Sequence, residues 1–95
     1  MTNVSKEAAE AIAIQGLAFL AQEDDLLMRF SGLTGILPND MRSAAGDPGF
    51  LVGVLDFFLA HEPDLLAFTE SASVEPDQVI RARMALAPND VSGFE

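Results

Sequence analysis

The chain has 95 residues, with fifteen Asp and Glu against five Lys and Arg, and a net charge of −10. The absence of cysteine excludes disulfide frameworks and thiolate metal sites, and a single histidine leaves few groups for catalysis. So acidic a surface repels nucleic acid and anionic lipid and favours basic partners, while 49% apolar residues exclude wholesale disorder.

The opening Met1-Thr2-Asn3-Val4-Ser5-Lys6-Glu7 lacks the basic-then-apolar order of a signal peptide, so a soluble cytoplasmic protein is expected. Residues 6–22 are good helix formers with Ser5 as N-cap. At 100° per residue Ala8, Ile12 and Phe19 share one face, and Ile14, Leu17, Leu20 and Ala21 spread over the other. A helix apolar nearly all round is expected to lie between neighbours. Glu23-Asp24-Asp25 forms an acidic joint, followed by a short helix over residues 26–33. Gly35 then stops the chain and Pro38 restarts it into a helix over residues 38–45. Asp47-Pro48 opens a second long helix, whose apolar run over residues 50–60 is broken by Asp56 and is too short to span a membrane. Glu62-Pro63-Asp64 is the next acidic joint, followed by helices over 65–72 and 76–86, with Ser73 at the turn. The tail, residues 88–95, shows no periodicity and is expected to be loose.

This order is stated twice. The stretch Phe19-Leu20-Ala21-Gln22-Glu23-Asp24-Asp25-Leu26-Leu27 differs from Phe58-Leu59-Ala60-His61-Glu62-Pro63-Asp64-Leu65-Leu66 only at Gln22/His61 and Asp24/Pro63. After one gap Phe30 pairs with Phe68, Gly35 with Ser73, Pro38 with Pro76 and Met41 with Val79. Internal repeats of this kind set the architecture. The prediction is an all-α single domain over residues 1–87: a compact bundle of about six helices in two three-helix units, residues 6–45 and 48–86. The two long helices form its central pair.

Each candidate motif has a bland reading. Residues 26–45 have helix-turn-helix spacing, yet the early positions of the second helix are Asn39 and Asp40, and DNA affinity rests on phosphate-binding cations that five basic residues supply poorly. His61-Glu62 lacks the second histidine of a metalloprotease motif, position 65 being Leu65, and reads instead as a cation near a helix end. Glu23, Asp24 and Asp25 lack the alternating ligands and glycine of a calcium loop and read as helix-start acids. Asp56, if buried, needs Arg29 or Arg42 as partner; otherwise it faces solvent, and a catalytic role lacks a second group. Met28, Met41 and Met84, with Phe30, Phe57 and Phe68, fit core positions at helical spacing, and the same residues would make an adaptable groove for a partner.

The run Ala11-Ile12-Ala13-Ile14-Gln15-Gly16-Leu17-Ala18-Phe19-Leu20-Ala21, then Leu33-Thr34-Gly35 with Pro38 and Met41-Arg42, then Val54-Leu55-Asp56-Phe57-Phe58-Leu59-Ala60, resembles a family of small bacterial proteins catalogued only as a domain of unknown function. The resemblance covers residues 7–86 and implies a compact, stand-alone helical cytoplasmic protein; it carries over no catalytic or ligand residue. The expectation is a non-catalytic module without metal or cofactor that binds another protein or a second copy of itself. The alternative is a nucleic-acid-binding regulator using residues 26–45, and a small enzyme comes third.

Overall fold

The computed structural model describes residues 4–87, and the tail 88–95 lies outside them. Among the described residues there are six α-helices, one 3-10 turn and no strand: α1 (Lys6–Gln22), α2 (Asp24–Thr34), the 3-10 turn Pro38–Asp40, α3 (Met41–Ala44), α4 (Pro48–Leu59), α5 (Glu62–Ala72) and α6 (Pro76–Leu86). None of these helices is long and apolar enough to cross a membrane.

The starts follow local chemistry. Ser5 Oγ accepts from the Ala8 amide at 3.0 Å, and Asp47 Oδ1 accepts from the Gly49 amide at 2.9 Å, each satisfying an orphan donor of a first turn. At α6 the Gln78 side chain reaches back to the Glu75 amide at 2.8 Å, ahead of Pro76 in the first turn. The stops of α2 and α5 use the left-handed region: Gly35 at φ 78° and Ser73 at φ 59°.

Three segments differ from expectation. The acidic joints are the first turns of α2 and α5, because carboxylates offset the positive end of the helix dipole and proline is tolerated there. The helix expected over residues 38–45 is a 3-10 turn followed by a single α-turn, since only eight residues separate Leu37 from Gly46 and Leu37 supplies no side-chain cap.

The burial of α1 is one-sided. Ala9, Ile12, Ala13, Gly16 and Leu20 face the core at helical spacing, while Ile14, Ala18 and Ala21 are exposed. At Gly16 the neighbours come very close: a Cβ there would lie 3.2 Å from the Phe58 ring and 3.4 Å from Val54. The absent side chain lets α1 settle onto α4.

The most extensive contacts link α1, α4 and α6 to one another, so three helices rather than two form the centre. Helix α2 leans on α1 and α5 on α4, in repeat-equivalent fashion. Helix α6 does not mirror α3, which is only one turn long. Through the middle runs a chain of rings: Phe50 against Phe30 (5.7 Å), Phe30 against Phe57 (5.3 Å), Phe57 against Phe58 (5.5 Å), and Phe58 stacked on Phe68 at 4.8 Å. Phe19 closes it, tilted against both Phe58 and Phe68.

Candidate interaction surface

The six methionine and phenylalanine candidates separate. Phe30, Met41 and Phe68 are buried and pack in the core rather than standing on the surface, although Met41 and Phe68 still border hollows. The cause is register: Phe30 lies one turn from buried Leu26, and Phe68 three residues from buried Leu65. Phe57 is half-buried. Only Met28 (67% exposed) and Met84 (47% exposed) stand on the surface.

Met84 lines the most coherent hollow. Asp56 and Leu59 of α4 with its C-cap Ala60, and Ile80, Arg83 and Met84 of α6, line a groove of about 520 Å³. Both sets sit at i, i+3 and i+4, which places each on one face of its helix. Ile80 is 49% exposed, so with Met84 it offers aliphatic surface on the α6 wall.

The floor is an ion pair. Arg83 Nε donates to Asp56 Oδ1 at 2.8 Å and Arg83 Nη2 to Asp56 Oδ2 at 3.2 Å, a bidentate fork. The arginine side chain is 6% exposed and the aspartate 42%. Asp56 is therefore a half-exposed carboxylate held by Arg83, not by Arg29 or Arg42 as the sequence suggested. The pairing needs α6 beside α4, a tertiary fact invisible to local spacing. Among the described residues no buried side-chain nitrogen or oxygen lacks a hydrogen-bond partner.

A second hollow of about 330 Å³ adjoins the first through Ala60, which lines both. Its walls are Leu33, 74% exposed, and Phe57, with the Arg29 guanidinium 5.2 Å above the Phe57 ring centre. Arg29 is also paired with Asp64, whose Oδ2 lies 2.8 Å from His61 Nδ1. His61 thus stands at the N-cap of α5 as well as just beyond α4, with its ring facing a carboxylate. Together the two hollows make a largely apolar strip across the C-terminal end of α4, with the Asp56–Arg83 pair in its floor and the Arg29–Asp64 pair at its edge. Leu59, Ile80, Arg83 and Leu33 are not among the interaction residues expected from the sequence, although the matched spacing on α4 and α6 was there to find.

A third groove, of about 510 Å³, lies between α1 and α3, with Ile14, Leu17, Ala21, Met41, Arg42 and Ala45 among its walls.

The helix-turn-helix segment is corrected too. Its second helix, Met41–Ala44, has four residues, too few to lay along a major groove with bases at one end and phosphates at the other. Of the arginines a phosphate backbone would need, Arg29 holds Asp64, Arg81 holds Asp77 at 2.5 Å and Arg83 is buried against Asp56. Among the described residues no three His, Asp or Glu side chains are grouped as metal ligands. Met28, Asp24 and Asp25 lie outside the hollows described above.

Fold and surface together define a small six-helix protein whose surface features are hollows and ion pairs. The chain belongs to the family described as Protein of unknown function (DUF3572), which matches residues 6–89. Comparison with curated proteins and with solved structures finds no match.

Proposed function

We propose that this protein is a non-catalytic interaction module that docks another protein on the strip formed by α4 and α6. The observation that carries the reading is the continuity of exposed Ile80, Met84 and Leu33 through Ala60, on a molecule of net charge −10. Apolar surface edged by polar groups is what partner helices bury, and methionine adapts its shape to what it meets. The charge favours a basic partner: two copies, each at −10, repel one another, so self-association is the weaker form of the proposal. Cytoplasmic residence fits this role. The nucleic-acid alternative has less support, because three of the four arginines are already engaged with aspartates.

The test is affinity capture with wild-type protein and with the double variant Ile80→Asp, Met84→Asp, at 0.15 and 0.5 M salt. A protein captured in stoichiometric amount by the wild type and lost by the folded variant supports the reading. Identical capture by both contradicts it.

A further inference from the structure

Independently of that reading, we infer that the groove between α1 and α3 binds an aliphatic carboxylate, its chain on Ile14, Leu17 and Ala21 and its head on Arg42. The internal repeat supplies the argument. Under its alignment Leu17 corresponds to Asp56, Ala21 to Ala60, Arg42 to Ile80 and Ala45 to Arg83. Four of the six residues of the α4–α6 groove therefore have their counterparts in the α1–α3 groove. The two grooves thus share these aligned positions, although α3 is a single turn and does not pack as α6 does.

Their chemistry differs in one respect. In the second half the groove carries an arginine together with the carboxylate that neutralises it. In the first half the position of that carboxylate is Leu17 and that of Arg83 is Ala45, while a different position, the counterpart of Ile80, carries Arg42. No ion pair to Arg42 is found among the described residues, although Arg29, Arg81 and Arg83 each hold an aspartate. Lys6, the other cation without one, stands two turns before Ile14. Arg83 is buried and needs its carboxylate, whereas Arg42 is exposed and hydrated, and a ligand carboxylate would take the place of that water.

The walls specify the rest of the ligand. Ile14 is about half exposed, and Leu17, Ala18 and Leu27 continue an apolar surface up to the guanidinium. A planar guanidinium grips carboxylate in bidentate fashion. The volume, about 510 Å³, falls in the range of small-molecule sites. The negative charge of the whole molecule opposes an anion, but at 0.15 M salt exposed charges beyond about 8 Å are largely screened.

The experiment is an amide-resolved NMR titration with decanoate at 0.15 M salt, with decyltrimethylammonium as a control of equal chain length. Saturable shifts at Ile14, Leu17, Arg42 and Ala45 are expected with decanoate alone. Arg42→Gln should weaken binding roughly tenfold or more, with Arg42→Lys intermediate. The thermal midpoint of Arg42→Gln should match the wild type, since the side chain is exposed and unpaired. Ala21→Phe, which fills the groove, should abolish the shifts. The inference is overturned by absence of saturable shifts in this groove, by equal affinity in Arg42→Gln, or by tighter groove binding of the ammonium. Occupation by an acidic leucine-glutamate peptide, with decanoate excluded, overturns it in favour of a protein ligand.

Discussion

Ser73 is the one non-glycine residue in the left-handed region among the described residues, at the position where the first half has Gly35. An L-residue there is strained by about 1–2 kcal/mol, partly offset by the greater unfolded-state freedom of glycine. Ser73→Gly should therefore stabilise the protein by roughly 0.5–1 kcal/mol, and Gly35→Ala should destabilise it by about 1 kcal/mol, read from urea midpoints. Unchanged midpoints would show that these turns carry no strain. Asp56 tests the groove floor at the same scale. Removing one partner of a buried pair costs about 3–5 kcal/mol, but Asp56 is half exposed, so Asp56→Asn should cost about 2 kcal/mol. The joint replacement Asp56→Leu, Arg83→Met should cost less than Asp56→Asn alone, because no cation then stays buried. Both turn residues were legible from the repeat. The identity of Asp56's partner was not, because no spacing within a helix says which other helix lies beside it.

The starts of α1, α4 and α6 were legible in the sequence, since caps and first-turn prolines act through atoms only two or three residues away, whereas α2 and α5 begin earlier than expected. Asp47 shows this: its carboxylate meets the Gly49 amide and opens the central α4. Asp47→Ala should cost about 1 kcal/mol, measured by chemical denaturation. Ser5→Ala should cost less, because α1 begins at the edge of the domain and its first turn can fray. What the pattern of α1 could not give was its buried face. With apolar residues on nearly every side, several stripes compete, and Gly16 decides among them by admitting Phe58. Gly16→Leu should destabilise by about 1–3 kcal/mol through overpacking. A neutral result would place the α1–α4 contact elsewhere. The exposed Ile14, Ala18 and Ala21 then become the wall of a groove, which explains why a helix so apolar is not fully buried.

For the whole molecule, the repeat predicts the order of elements and not their packing. Six helices with the expected sequence of long, short and closing segments are present, yet α6 occupies the centre with α1 and α4 while α3 is a single turn. A four-residue helix has too little apolar surface to hold a central place, so the eleven-residue α6 takes it. That asymmetry creates the Asp56–Arg83 floor and exposes Ile80 and Met84 beside it. The ring chain through Phe30, Phe57, Phe58 and Phe68 ties the halves together. Phe58, touching three other rings, is its junction. Phe58→Ala should cost about 3–5 kcal/mol, a large share of the stability of a domain this size.

The central claim is that the α4–α6 strip is where another protein sits. The most direct measurement is photo-crosslinking in the cells that make the protein, with a photoreactive side chain placed at Met84 and, separately, at Met28. Both positions are exposed methionines, and only Met84 lies on the strip. The account predicts one dominant protein adduct from position 84 and none of that mass from position 28. No adduct from position 84, or the same adducts from both positions, would contradict it.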